Sequence, residues 1–347
     1  MMMTPEPQNE PSPSKRVRIE WIDYAKGIGI FLVVVGHVIR GLEPSGVIPD
    51  GPAYRFVDSW IYSFHMPLFF FISGLFIDRQ ARRPTGTFFA DKFGTIVYPY
   101  ILWSLIQTLL QQPLMRYTNH PTQTNQIARL FYDPIMQFWF LYTLFLVSTV
   151  YFLLKRLRLG PLGITAAFLA FWATQGWFSI GTSWFLVATR RYGVIFSLGS
   201  VFERGNGVER VNRIPTPVLV AITVLGYFVV TLAIAFAWTP GPWPITRLLT
   251  ALVGTAATIA LATLTSRLGH LDFIRQWGFY SLEIYLAHTI ASAGIRIVLL
   301  KLTGLRDPST HILLGILGGI YLPLLLVWFV QRLHLEFLFR LKFPKRA

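Results

Sequence analysis

The 347-residue chain contains no cysteine, which excludes disulfides, thiolate nucleophiles and zinc–sulfur sites at once. It is also short of charge. Only 14% of its residues are Asp, Glu, Lys or Arg, where a soluble domain carries about a quarter. No repeat of 20–50 residues recurs, so a solenoid is excluded. The start has neither the short apolar core nor the small-residue cleavage site of a signal peptide. Residues 1–18, MMMTPEPQNEPSPSKRVR, are too polar to build a core.

What is present is apolar surface. The chain is 53% hydrophobic with a mean hydropathy of +0.51, and its apolar runs repeatedly approach the roughly 20 residues that cross a bilayer core of about 30 Å. They predict an all-α, polytopic transmembrane bundle of about ten helices: 24–42, 54–77, 93–112, 135–154, 161–178, 185–203, 216–236, 245–265, 277–300 and 311–331. Pro and Gly mark the junctions, as at Pro49–Pro52, Gly160-Pro161 and Pro240–Pro244. The fifth run, with Gly163, Gln175 and Gly176, is among the weakest. The domain reading is a disordered tail at 1–20, a membrane domain at 21–331 and a basic tail at 332–347 that lies on anionic lipid.

The net charge of +15 suggests nucleic acid, but the basic residues are spread between the apolar runs. With the N-terminus inside, 21 of the 31 fall on the inner side and ten on the outer. This bias predicts N-in, C-in topology, a lipid bilayer as partner and no nucleic acid. The longest outer loop, about 113–134, carries Arg116, His120, Arg129 and Asp133.

Ionisable groups within apolar spans are costly to keep and so are functional candidates. In the first span Lys26 and His37 stand eleven residues apart, about 1,100° or three turns plus some 20°, and so share a face roughly 16 Å apart along the axis. A cation at the cytoplasmic rim with an imidazole deeper in suits a long ligand with anionic phosphates and a reactive end, as in coenzyme A. Asp23, Arg40, Asp58, His65, Glu283, Tyr285 and His288 are further intramembrane polar candidates. Asp58 and His65, seven apart, share a face above Pro67. Gly27, Gly29 and Gly36 read as close helix packing. Arg190-Arg191, with Trp139, are candidates for holding an acceptor. No metal ligand set stands out.

The run Ile22-Asp23-Tyr24-Ala25-Lys26-Gly27-Ile28 leading to Gly36-His37 resembles the opening of the acyltransferase-3 family, whose first helix carries a basic residue, ten residues and a histidine. Phe64-His65-Met66-Pro67-Leu68-Phe69-Phe70-Phe71-Ile72-Ser73-Gly74-Leu75 resembles its second helix. Phe138-Trp139-Phe140-Leu141-Tyr142 resembles its fourth, and Gly278–His288 its C-terminal signature. The resemblance implies an integral-membrane O-acyltransferase, in a bacterial inner membrane, that moves an acetyl group from cytoplasmic acetyl-CoA to a hydroxyl of a sugar or surface-glycan precursor. It implies His37 as the essential imidazole and Lys26 as its basic partner. Acyl-CoA is then a donor substrate and no bound cofactor is expected.

Many relatives carry closely spaced arginines before the third helix. Here Lys92 stands in that stretch, with Arg82 and Arg83 upstream as the remaining candidates for the donor phosphates. The family resemblance also leaves open a separate extracytoplasmic protein that completes the transfer. The alternative class is a proton-coupled secondary transporter or flippase that uses the buried histidines as a relay. Transporters tend to show paired repeats with matching broken helices, and no such pairing is visible here.

Overall fold

The computed structural model describes residues 19–112, 129–176, 184–236, 244–341 and 343. Arg116 and His120 of the outer loop, nearly all of the N-terminal tail and the last residues of the basic tail lie outside them. Among the described residues every regular element is helical. The long helices are α1 (Glu20–Leu42) and α2 (Pro52–Leu75), followed by the short α3 (Ile77–Ala81). Next come α4 (Thr85–Lys92), a π-helical turn at Phe93–Val97 and α5 (Tyr98–Gln111), which run on as one span. After these come α6 (Trp139–Arg156), α7 (Pro161–Ala173), α8 (Trp184–Arg204), α9 (Gly207–Arg213) and α10 (Thr216–Ala235). The last are α11 (Pro244–Leu268), α12 (Asp272–Phe279), α13 (Ser281–Leu302) and α14 (Pro308–Arg332).

Each of the ten apolar runs thus contains a helix, with ends displaced by a few residues for most of them. Seven helices among the described residues are both long and apolar enough to cross a bilayer. Helices α2 and α8 have the length but carry Arg55 and Asp58, and Arg190 and Arg191, respectively. The fifth run is described only to residue 176; positions 177 and 178 lie outside the described residues. Helix α7 has 13 residues, about 20 Å at 1.5 Å per residue, and is followed by a 3₁₀ turn at Thr174–Gly176.

Local chemistry explains many boundaries. Proline occupies the first turn of α2, α7, α10 and α14, where its missing N–H costs nothing. Asp307 caps α14 by accepting the Thr310 backbone N–H at 2.7 Å. Helix α2 runs through Pro67, as a membrane helix can when its neighbours surround the freed backbone group.

Helix α1 is the centre of the bundle and packs against α2, α11, α12, α13 and α14. Trp21, Tyr24, Ile30, Val33 and Val34 are almost fully buried on it. The glycines serve close packing, as their pattern suggested. A Cβ on Gly27 would lie 2.0 Å from the Ile274 carbonyl oxygen, and one on Gly278 only 1.7 Å from that of Asp23. Helices α2 and α8 meet in the same way through Gly74 and Gly199.

The outward faces are apolar. Only 22% of the apolar window of α10 is buried inside the protein, and Val218, Val224, Leu225 and Phe228 are exposed. Apolar surface on this scale is stable only when something other than water covers it. The protein is an integral membrane protein. The basic tail is more engaged than expected: Trp103 donates to the Leu338 carbonyl at 2.7 Å, Phe339 stacks on Trp103, and the Leu341 N–H bonds the Gly94 carbonyl at 3.0 Å.

These contacts generate a paired prediction. Gly74→Leu forces a side chain into the Phe196 carbonyl, and overpacking of this kind costs about 1–3 kcal/mol or more. We expect a lower thermal midpoint and loss of monodisperse protein on size exclusion. Gly86→Ala, with no atom within 4 Å of its added Cβ, leaves both unchanged.

Candidate active site

The bundle has a basic end that carries Arg83, Arg156 and Arg275, where Arg156 donates to the Arg83 carbonyl at 2.8 Å and Arg275 pairs with Glu20 at 3.3 Å, and an opposite end. A polar cavity of about 630 Å³ lies towards the opposite end. Helix α1 supplies His37 and Arg40 to its wall, α2 supplies Tyr62 and His65, and α5 supplies Gln107. Further walls come from Gln137 and Trp139, from Tyr285, Thr289, Ser292 and Arg296 on α13, and from His311 on α14.

His37 is partly exposed to this cavity. Its ring centroid is 5.0 Å from that of His288 and 6.4 Å from that of Tyr62, which in turn lies 4.6 Å from His65. Three histidines from three helices thus converge. His288 is fully buried, and its Nδ1 sits 2.8 Å from the Tyr285 carbonyl and 3.1 Å from that of Ile284. A ring nitrogen facing two carbonyls carries the proton, so Nε2 is an acceptor, and it has no partner among the described residues. The Nδ1 of His65 is held in the same manner by the Ile61 carbonyl at 2.6 Å.

Arg40 does not point at His37. Its guanidinium lies over the Tyr62 ring, 3.3 Å from the centroid, and grips Asp58 through Nε at 2.5 Å and Nη2 at 2.9 Å. Opposite, a buried amide network crosses three segments. Gln137 Nε2 donates to Gln107 Oε1 and to the Thr289 hydroxyl, each at 2.8 Å, and the Tyr285 hydroxyl donates to the Gln137 carbonyl. Arg296 donates to the Gly41 carbonyl at 2.7 Å.

The remaining candidates are distributed over other regions. Lys26 is bound to the buried Asp23 at 3.0 Å near the basic end and does not line the His37 cavity. Glu283, also buried, faces a separate pocket of about 150 Å³ with Glu336 and Arg340. Arg82, Arg83 and Lys92 cluster at the basic end, where they meet Asp78 at 2.8 Å, Asp91, and the Gln80 side-chain oxygen at 2.8 Å. Arg190 is buried, whereas its neighbour Arg191 lines a second cavity, of about 320 Å³, that shares Tyr62 with the first.

Sequence reasoning passed over Tyr62, Gln107, Gln137, Arg296 and His311. The cost of polar groups in lipid flags Arg296 and His311 as readily as it flags His288. Tyr62 gives no such signal, because aromatic residues crowd membrane helices for ordinary reasons.

At the basic end, outside the spans, Asp78 receives Lys155 at 2.7 Å, Arg82 at 2.8 Å and the Tyr151 hydroxyl at 3.2 Å. Burial alone would raise this carboxyl, but hydrogen bonds from Lys155 and Arg82, with their charges, hold it below its usual value.

Comparison with known proteins agrees with this architecture. A family model described as "Acyltransferase domain" matches residues 19–328. The Nodulation protein NolL of Mesorhizobium japonicum is 30% identical over 126 residues, which cover 36% of this chain and 32% of that protein. The match therefore spans about a third of the curated relative's length. No solved structure matches the chain.

Asp78 yields a pH prediction. A carboxyl depressed on folding contributes stability above its unfolded value near 3.9 and loses it as pH falls through the folded one. Asp78→Asn should therefore lower the thermal midpoint at pH 7, with the gap to wild type closing as the pH is taken below about 4. A gap that is constant across that range would assign the loss to packing.

Proposed function

The chain belongs to the acyltransferase family whose model spans its residues 19–328, and from that premise we propose that it moves an acyl group from acyl-CoA to a hydroxyl of a sugar or surface-glycan precursor, with His37 as general base. The membership makes it a membrane-bound acyltransferase. The observation that carries the finer reading is the placement of His37 in the wall of the large cavity, backed by a buried histidine with an open acceptor nitrogen.

In this reading a small shift of the His37 ring, whose centroid lies 5.0 Å from that of His288, brings its N–H onto the open Nε2 of His288 and turns the basic nitrogen of His37 towards the cavity. An imidazole has the right proton affinity for the task near neutral pH. His37 takes the proton of the acceptor hydroxyl as its oxygen attacks the thioester carbonyl. The carbon–sulfur bond then breaks, and the imidazolium returns the proton to the leaving thiolate. Absence of any cysteine rules out a thioester intermediate on the protein.

The excess of Lys and Arg at the basic end puts that end in the cytoplasm by the positive-inside rule, so the donor enters there. Lys26 stands near that rim, eleven residues below His37 on α1, a span of roughly 16 Å that matches an extended pantetheine arm, and the helices packed between the two must part to admit it. Arg82, Arg83 and Lys92 offer cationic groups for the nucleotide phosphates at the same end. The acceptor occupies the opposite, outer side, where Trp139, Gln137 and Thr289 present an aromatic face and hydroxyl-matching groups. A bacterial inner membrane, with cytoplasmic acyl-CoA on one side and glycan precursors on the other, fits this division.

The test is acyl transfer by protein purified with its lipid. Radiolabelled acetyl-CoA should label a glycan fraction in a protein-dependent manner. General base catalysis contributes about 10²- to 10⁴-fold, so His37→Ala should lose at least a hundredfold in rate while keeping its thermal midpoint. A well-folded His37→Ala protein with activity within tenfold of wild type would remove this residue from the mechanism.

A further inference from the structure

Acyl transfer creates negative charge as well as moving a proton. When the acceptor hydroxyl attacks, the thioester carbonyl oxygen becomes an oxyanion, and donors aimed at that oxygen supply much of the catalysis in such reactions. Most donors in the wall of the His37 cavity already have partners. The Gln137 amide donates to Gln107 and Thr289. The Tyr285 hydroxyl donates to the Gln137 carbonyl, and that of Ser292 to the His288 carbonyl at 2.8 Å. Arg40 spends Nε and Nη2 on Asp58.

Arg296 differs. It is half-buried on α13 and lines the same cavity as His37. A guanidinium carries five N–H donors. One of them, on Nη1, goes to the Gly41 carbonyl at 2.7 Å. No Asp or Glu lines this cavity among the described residues, and none of them forms an ion pair with Arg296. A cation kept in an apolar span without a carboxylate is costly and marks a functional position. Capping the end of α1 is the structural alternative, but a cap occupies a single donor and a neutral amide would serve it.

The seat of the guanidinium is defined by α1. Gly41 follows His37 by four residues, or about 400°, so the two share a face some 6 Å apart along the axis. Both line the cavity. A Cβ on Gly41 would stand 2.4 Å from Arg296 Nη1, so glycine at this position makes room for the group. The bond to Gly41 thus fixes a cation one turn beyond the imidazole, in the wall of one space.

We propose that Arg296 is a catalytic residue that stabilises the oxyanion of the tetrahedral intermediate. The proposal rests on the acyl-transfer reading. The acceptor oxygen bonds to the thioester carbon as its proton passes to His37. The carbonyl electron pair moves onto its oxygen, which accepts N–H bonds from Arg296. Collapse restores the carbonyl and breaks the carbon–sulfur bond, and the thiolate takes the proton from the imidazolium. Base and electrophile are then supplied by different helices, α1 and α13.

The test is steady-state transfer from radiolabelled acetyl-CoA by the full-length protein purified with its lipid. Removal of one oxyanion donor costs about 10²- to 10³-fold in kcat, and Arg296→Ala should show a loss of that order. KM for acetyl-CoA should stay within about threefold, because the interaction is made only after attack. Millimolar guanidinium should restore at least tenfold of the lost rate to Arg296→Ala and nothing to His37→Ala. Arg296→Gln, which keeps a donor amide without the charge, should lose at least tenfold and decides the matter if the alanine variant is unstable. A loss below tenfold in a folded variant, a rise in KM with kcat unchanged, or a lowered thermal midpoint with no rescue by guanidinium would each overturn the role. Its failure is separable from that of the underlying reading. His37-dependent transfer that survives in Arg296→Ala rejects only the oxyanion role, transfer lost in Arg296→Ala but kept in His37→Ala rejects only the base, and no transfer by the wild type rejects both.

Discussion

Both cavities depend on the ion pair between Arg40 and Asp58. It joins α1 to α2 by a two-pronged contact at 2.5 and 2.9 Å and holds the guanidinium flat on Tyr62. That ring is wall to both spaces and neighbour to two of the histidines. The pair is partly exposed, with 43% of the Arg40 side chain and 22% of that of Asp58 accessible, but its two-pronged geometry orients both groups. The pair therefore acts as a fixed joint. It also takes up the charge of an arginine one turn from His37, so the imidazole is flanked by rings and its immediate setting is aromatic.

The joint in turn requires helices that lie close together. Helix α1 is surrounded on most sides, and the bundle achieves this with glycines placed where backbones meet. At Gly27, Gly74 and Gly278 a single added carbon would collide with a carbonyl. Without a hydrophobic drive between helices in lipid, close van der Waals approach is a principal source of cohesion. The dry packing towards the basic end and the hollow, polar interior at the other end are two outcomes of one pattern. Small residues pull the helices together around the lower part of α1, and large polar side chains such as Gln107, Gln137, Tyr285 and Arg296 keep them apart around the upper part.

Much of the site was legible from residue type and spacing. His37, His65 and His288 stood out because an imidazole inside an apolar run demands an explanation; His37 meets His288 directly and is linked to His65 through Tyr62. Asp58 and His65, which share a face of α2, line two neighbouring cavities, Asp58 the smaller and His65 the larger. Arg40, one turn beyond His37 on α1, is held by Asp58, eighteen residues away on α2. Lys26 and His37 share a helix, yet the cavity at His37 does not reach Lys26, because α1 is tightly packed between them. Arg190 and Arg191 looked equivalent, but adjacent residues on a helix point about 100° apart, and only Arg191 meets a cavity.

The sequence by itself determined that this is a helical membrane protein, how many apolar runs it has, which end is basic and which family it belongs to. Those properties are local or additive: hydropathy over twenty residues, charge summed over loops, motifs along one helix. Only the tertiary structure decided which polar groups confront one another, that a second cavity adjoins the first, and that the hollow lies away from the basic end. These follow from the rotation and depth of each helix relative to its neighbours. Such quantities are set by contacts between residues as far apart as Gln137 and Thr289, or Gly41 and Arg296, and no single stretch of the chain encodes them.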